Sequence, residues 1–140
     1  MNNTAFDFEE VEHTADWALR VRGRDLRQLL ANAARGMSHL LVSDLEAISG
    51  QVERRFSLDA LDAESLLVTW LSELAYWAEA ELLVFHEFDL SQVTPEHLEA
   101  IAQGGHVSDL QKHIKAVTYH NLRITETEDG WLEATVVFDV

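Results

Sequence analysis

The sequence predicts an α+β fold, a two-layer sandwich in which two main helices pack on one face of a largely antiparallel or mixed sheet. Segments with strand-like alternation lie at both ends of the chain, and two segments with helical apolar spacing lie between them. The chain contains no cysteine, so packing alone must hold the fold together. Its length of 140 residues matches one domain, and no linker or repeat divides residues 1–140.

The first third of the chain predicts a hairpin followed by a helix. Phe6–His13 and Asp16–Gly23 both have strand character, and their proximity in sequence favours antiparallel pairing. Asp25 is placed to cap the first helix, with Gln28 three residues later. Apolar residues then recur at helical spacing: Leu26, Leu29, Leu30, Ala33, Met37, Leu40 and Leu41.

The middle of the chain predicts a strand and a second helix. Gln51–Leu58 alternates as a strand does, with Val52 and Phe56 on the same side. The second helix begins near Asp62, and its apolar residues cover much of the circumference: Leu66, Leu67, Trp70, Leu71, Leu74, Ala75, Trp77 and Ala78. We therefore expect this helix to be largely enclosed by the sheet and its neighbour.

The last third predicts mainly strands. Leu82–Phe88 is a strand by composition, whereas Thr94–Gly104 is predicted as a helix because a threonine followed by proline resembles an N-cap with proline at the first helical position. Ile114–Thr125 and Trp131–Val140 predict two long strands joined by a turn-forming Glu-Asp-Gly cluster.

Charge is the most informative bulk property. The 25 acidic residues outnumber the 10 Lys and Arg residues, which gives a formal net charge of −15. Nucleic-acid affinity comes largely from Lys and Arg, so we expect no direct nucleic-acid binding. The acidity suits a partner with a basic face or a divalent cation, and it equally serves solubility alone. No signal peptide or membrane span is recognisable, so we expect a cytoplasmic protein without membrane contact.

Enzymatic motifs with a known mechanism are absent from the sequence. It has no phosphate-binding glycine loop, zincin helix, nucleophile elbow or deaminase zinc set. Seven histidines are present without metal-binding spacing. The stretch from His106 to His120 contains three of them beside Lys112 and Lys115, and it forms either a polar site or an ordinary loop and strand face.

Two aspartates stand at the ends of predicted strands. Asp16 begins the second strand, and alternation in the last strand places Asp139 on its polar face, next to Val140. Carboxylates from two strand ends together with a main-chain oxygen are chemically sufficient to begin a site for a hard divalent cation. Spacing alone does not bring them together, and a solvated Asp139 is the simpler interpretation from the residues alone.

Four segments, taken in order, resemble the archease family. They are the motif Glu12-His13-Thr14-Ala15-Asp16, the helical segment Asp62–Leu74, the run Lys115–Leu122 (KAVTYHNL) and the final strand Trp131–Val140, which ends in Phe-Asp-Val. Together the four segments extend over nearly the whole chain, and their ordered combination is more specific than the first motif alone.

The resemblance implies a function and a site. Archeases assist the GTP-dependent RNA ligase that joins tRNA exon halves, by promoting its guanylylated histidine intermediate and repeated turnover. The family is associated with a divalent ion, here expected to be calcium. Carried over to this sequence, Asp16 and Asp139 would supply side-chain oxygens, and Val140 a main-chain or terminal oxygen.

The resemblance also implies a functional surface. Lys115 and His120 are expected near the partner, together with His13 of the first motif, while Thr118 and Tyr119 are either part of that surface or ordinary sheet packing. The family fold further implies that Thr94–Gly104 is a strand, contrary to the local pattern.

Three classes of function therefore remain open. The first is an accessory protein, not itself an enzyme, that activates an RNA ligase. The second is a general protein chaperone or metal-binding module. The third is a metal-dependent hydrolase that uses the metal site and the region of His120.

Overall fold

A computed structural model describes residues 7–12, 17–45, 48 and 52–140 of the chain. It confirms the α+β class and the antiparallel pairing. The elements in order are β1 (Phe8–Glu12), β2 (Trp17–Gly23), α1 (Leu26–Leu41), β3 (Val52–Asp59), α2 (Ala63–Glu81), β4 (Leu83–Thr94), β5 (His97–His106), β6 (Ala116–Thr118), β7 (Thr125–Glu126) and β8 (Leu132–Asp139). The predicted site residues His13 and Asp16 lie outside the described residues.

The strands divide between two sheets, where the sequence predicted one. Sheet A has the order β1-β2-β8-β6, with β7 pairing β8 as well, and sheet B has the order β3-β5-β4. The predicted opening hairpin is confirmed as β1 and β2. Because β8 pairs with β2 on one side and β6 on the other, the last strand in sequence is internal to sheet A.

Both helices begin where the sequence predicts them. The Asp25 side chain accepts the backbone N–H of Gln28 at 2.9 Å, and Asp62 accepts that of Ser65 at 2.8 Å. Hydrogen bonding to Ser65 lowers the pKa of Asp62 below its usual value. Each helix packs against both sheets, α1 on β2 and β4, and α2 on β4 and β6.

Trp70 of α2 connects the layers of the core. Its side chain is fully buried and donates Nε1–H to the main-chain oxygen of Leu30 in α1 at 3.0 Å. The ring packs edge-on against Phe56 of β3 and Phe88 of β4, with centroids 5.4 and 6.0 Å apart. The expectation that α2 is enclosed is therefore confirmed around this residue.

The helix predicted for Thr94–Gly104 is wrong, and the strand implied by the family resemblance is confirmed. Thr94 ends β4, and β5 runs back antiparallel from His97. Leu98, Ala100 and Ala102 are buried while their neighbours are more exposed, which is the period-two pattern of a strand.

The long strand predicted for Ile114–Thr125 is also wrong in its length. In this part of the chain, the residues that pair with β8 are Ala116–Thr118 and Thr125–Glu126. The backbone turns between them, with Leu122 N–H bonded to the Tyr119 oxygen at 3.0 Å and Asn121 at a φ of 52°. Asparagine tolerates this left-handed conformation, which a continuous strand does not contain.

His97 joins two strands of sheet B through both ring nitrogens. Nδ1 lies 2.7 Å from the carboxylate of Asp59 in β3, and Nε2 lies 3.0 Å from that of Glu99 in β5. The hydrogen bond to Asp59, followed by that to Glu99, raises the pKa of His97 above 6.5.

Within the described ranges, no helix combines the length and the apolar character needed to cross a membrane.

Candidate functional site

Three strand ends meet at one edge of sheet A. Trp17, the first residue of β2, pairs with Phe138, and Ala116, the first residue of β6, pairs with Asp139. The beginnings of β2 and β6 therefore flank the end of β8. We call this region the β8-end site and define it by Trp17, Lys115, Ala116, Asp139 and Val140.

Asp139 presents oxygen atoms at the centre of the β8-end site. Its side chain is exposed, and its main-chain oxygen accepts the backbone N–H of Lys115 at 2.7 Å. Val140 beside it is half-buried. These oxygens suit a hard divalent cation, but calcium takes about six to eight oxygen ligands, so further donors are required. No group of three acidic or histidine side chains able to hold a metal ion occurs among the residues described.

Asp16 is the predicted source of a further ligand. Its sequence neighbour Trp17 lies opposite Phe138, the neighbour of Asp139. The register therefore brings Trp17, the residue that follows Asp16 in the sequence, to the end of β8 that carries Asp139. The predicted ligand set stays a prediction, with Asp139 and Val140 as its described members.

Lys112 is held against β2 at the same edge. Its ammonium lies 3.7 Å from the centroid of the Trp17 ring and 3.9 Å from the carboxylate of Glu10. The side chain is only 17% exposed, so the cation is partly desolvated against the ring. The sequence places Lys112 among nearby histidines and predicts Trp17 only as a strand residue. Contact between residues so distant in sequence gave no local signal.

A hydrogen-bonded turn follows β6 and presents His120. The Thr118 hydroxyl donates to the main-chain oxygen of Val137 at 2.9 Å and accepts the backbone N–H of His120 at 3.3 Å. The His120 ring contacts the Asn121 side chain, with 3.3 Å between the two nitrogens. Thr118 is thus half-buried within the sheet, whereas Tyr119 projects outward with 57% of its surface exposed.

The segment around this turn is locally basic in an acidic chain. Residues 106–125 contain Lys112, Lys115 and Arg123 against the single acid Asp109. The side chains of Lys115 and His120 are both in exposed positions. The structure therefore brings Lys115 to the β8-end site and places His120 on the turn that follows, with both side chains exposed to solvent.

A shallow apolar groove borders Lys115. It has a volume of about 270 Å³ and is lined by Ala75 and Tyr76 of α2 and by Ile114 and Val117 from the β6 region. Tyr76 is 61% exposed, although it belongs to the helix that the sequence predicts to be largely enclosed. Its exposure was not predicted, because a helix with apolar residues on most sides gives little indication of which side faces solvent.

Comparison with known proteins identifies the family. A family model described as "Archease protein family (MTH1598/TM1083)" matches residues 8–140. The chain is 39% identical to the protein archease of Methanosarcina barkeri (strain Fusaro / DSM 804), with 100% of both chains covered. It is 37% identical to the protein archease of Methanosarcina acetivorans, with 95% of each chain covered.

Solved structures agree with this assignment. The solution structure of Methanobacterium thermoautotrophicum protein 1598 is similar at a TM-score of 0.77 and 30% identity, covering 96% of this chain and 99% of that one. The crystal structure of an archease from Thermotoga maritima, described as a possible chaperone, has a TM-score of 0.65 and covers 94% and 96% of the two chains. At 20% identity that likeness shows the fold alone. Both the sequence matches and the shared fold establish that this chain belongs to the archease family.

Proposed function

We propose that this protein activates a GTP-dependent RNA ligase of the tRNA-splicing type by promoting attachment of GMP to the ligase, and that it is not itself an enzyme. The observation that carries the proposal is the meeting of Asp139, Lys115 and Trp17 at one edge of sheet A, in an archease chain. In the proposal the β8-end site and the adjoining turn face the active centre of the ligase.

A divalent cation, calcium by ligand preference, would be held by Asp16, Asp139 and Val140. Such an ion supplies a concentrated positive charge that attracts phosphate oxygens. The residues of this chain have separate roles. The backbone N–H of Lys115 fixes the main-chain oxygen of Asp139 at 2.7 Å, which orients the end of β8. The exposed Lys115 ammonium then remains available to the partner.

The charge of the chain supports a protein partner. A net charge of −15 opposes direct RNA binding, whereas it favours encounter with the basic face of an RNA-binding enzyme. RNA would then contact the ligase only. We also propose that the protein acts in the cytoplasm.

The test is the rate at which labelled GMP becomes attached to the ligase of the same organism. Wild-type protein should raise this rate, and Asp139→Asn and Asp16→Ala should lose most of the increase. Glu96→Gln is the matched control, because it removes one exposed carboxylate from the β4–β5 turn of sheet B. No increase with wild-type protein would refute the activator role. An increase retained by both aspartate variants would refute the metal site alone.

A second measurement separates the metal from the partner. Isothermal titration with calcium chloride should detect binding to wild-type protein and to Glu96→Gln, and much weaker binding to Asp139→Asn. Equal calcium binding by all three proteins would place the ion elsewhere. Suppression of the aggregation of unrelated proteins, without effect on the ligase, would favour the general chaperone instead.

A further inference from the structure

A second concave surface lies between α1 and the edge of sheet B. It has a volume of about 830 Å³, and a neighbouring cavity of about 350 Å³ extends it along α1. One wall is formed by Gln28, Ala31, Asn32 and Arg35 of α1, and the other by residues 86–89 of β4. We call this surface the α1–β4 groove. It belongs to sheet B, whereas the β8-end site belongs to sheet A.

The β4 wall is fixed at both ends. Ser38 donates its hydroxyl to the main-chain oxygen of Phe85 at 2.7 Å, and Arg27 donates Nε–H to that of Leu90 at 2.9 Å. The pairing of β4 with β5 is interrupted by irregularities between Phe85 and Glu87 and again after Leu90. Such bulges re-aim side chains at sheet edges, and here they enclose the stretch that lines the groove.

Two carboxylates in the groove are unpaired. Glu87 and Asp89 are exposed, and neither side-chain carboxylate has a hydrogen bond or ion pair with another residue in the described part of the chain. In the β4–β5 register, Glu87 lies opposite Gln103 and Asp89 lies opposite Ile101. Both side chains are therefore on the same face of β4, about 6.6 Å apart along the strand. Basic side chains at alternating positions of an extended peptide have the same spacing.

Two buried nitrogens of the groove residues also have no hydrogen-bond partner among the described residues. They are Nε of Arg35 and Nε2 of His86. Arg35 uses Nη2 instead, which bonds the carboxylate of Asp7 at 3.2 Å and the side-chain oxygen of Asn32. A buried polar nitrogen without a partner calls for an explanation in a native fold. Both side chains line the groove, where the carbonyl oxygens of a bound peptide would supply acceptors for Nε–H of Arg35 and for the Nε2–H tautomer of His86.

We propose that the α1–β4 groove binds an extended basic segment of a partner protein, with Lys or Arg at alternating positions. Its cations would pair with Glu87 and Asp89, and its main-chain oxygens would accept from Arg35 and His86. The α1 wall from Gln28 to Arg35 is about 10 Å long, which accommodates about three extended residues. A polyamine offers the charge without the carbonyl oxygens, so a peptide fits the whole set of groups better.

The test is a nuclear magnetic resonance titration of the ¹⁵N-labelled full chain with two peptides of one composition. The peptide acetyl-Lys-Thr-Lys-Thr-Lys-amide has lysines at alternating positions, and acetyl-Lys-Lys-Thr-Thr-Lys-amide has no two lysines that are two residues apart. We expect the alternating peptide to bind more tightly and to shift amide signals of residues 28–35 and 86–89. Shifts spread over the whole acidic surface, equal affinity for both peptides, or no binding at millimolar peptide would each overturn the proposal.

Variants make the same test specific. Glu87→Gln combined with Asp89→Asn should weaken the alternating peptide about tenfold, the combined effect of two lost ion pairs at an exposed site. Glu96→Gln combined with Glu126→Gln removes two exposed carboxylates elsewhere and should weaken it less than about twofold. Equal losses in the two double variants would show that only net charge matters and would overturn the proposal. The signal dispersion of each variant confirms its fold, and Asp139 is unchanged in both.

Discussion

Replacement of Thr118 by valine should loosen the turn that presents His120. Valine keeps the shape and the branched Cβ suited to β6, but it removes the hydroxyl that bonds both the Val137 oxygen and the His120 N–H. The sheet pairing between residues 116–118 and β8 does not require this hydroxyl. We therefore expect a local loss of order and little change in the melting temperature.

The expected size follows from the lost hydrogen bond. A neutral hydrogen bond contributes about 0.5–1.5 kcal/mol net, and about 1.4 kcal/mol corresponds to a tenfold change in an equilibrium. The amide proton of His120 should therefore exchange with solvent about 2- to 12-fold faster in Thr118→Val. Hydrogen exchange followed by nuclear magnetic resonance measures this rate for the single amide.

Thr94→Val is the matched control for this experiment. Thr94 accepts the backbone N–H of Glu96 at 3.2 Å, which repeats the bond of Thr118 in the β4–β5 turn. This variant should accelerate exchange at Glu96 and leave His120 unchanged. An unchanged rate at His120 in Thr118→Val, together with the expected response at Glu96 in the control, would refute the role assigned to the Thr118 hydroxyl.

Three further predictions concern the core and sheet B. Trp70→Phe should lower the free energy of unfolding by about 2 kcal/mol, because it removes a buried hydrogen bond and buried ring atoms. Urea titration followed by circular dichroism measures this loss, and a loss below about 0.5 kcal/mol would contradict the prediction. The raised pKa of His97 contributes stability that is complete below about pH 6.5 and is lost as pH rises through the folded-state pKa. The melting temperature of His97→Gln should therefore depend less on pH between pH 6 and pH 8 than that of the wild type. The same pH dependence in both proteins would exclude this role of His97. Gly104→Ala should lower the free energy of unfolding by at least about 2 kcal/mol in the same urea assay, because the new Cβ would lie 2.0 Å from the main-chain oxygen of Val84. Unchanged stability would show that the β4 backbone shifts at little cost to make room for the Cβ.

The sequence predicted well those features that depend on local chemistry. Asp25 is predicted as a cap because a short acceptor side chain before an apolar helical repeat satisfies free N–H groups, and the structure confirms it. The predicted start of the second helix near Asp62 is also confirmed, and Asp62 caps that helix in the same way. The error at Thr94–Gly104 has a local cause as well. Thr94 followed by Pro95 suits a helix start, yet the same pair also suits a tight turn, and the alternation of Leu98, Ala100 and Ala102 was the stronger signal.

Features that depend on distant pairing were not accessible from the sequence pattern. The division of the strands between two sheets is decided by which strand accepts β8 as a neighbour, and alternation within a strand does not specify that neighbour. The placement of Lys112 on Trp17 follows from the same pairing. The strand-end position made Asp139 a candidate ligand, but only the family resemblance favoured a ligand over a solvated carboxylate, because its neighbours in sequence do not distinguish the two.

The α1–β4 groove was not predicted for a similar reason. Glu87 and Asp89 are ordinary exposed residues of an alternating strand when they are considered alone. Their arrangement gains chemical meaning from the α1 wall opposite, where Arg35 lies. Two elements far apart in the chain must pack before the groove exists.

The internal position of β8 also bears on how the chain folds. β2 finds its partner more than a hundred residues later, so sheet A has a high contact order and should form more slowly than the local β4–β5 hairpin of sheet B. Until β8 arrives, one edge of the β1–β2 hairpin remains open to pairing with other chains. During synthesis the nascent protein would therefore carry a transient aggregation hazard, and the same strand that completes the β8-end site would end that exposure.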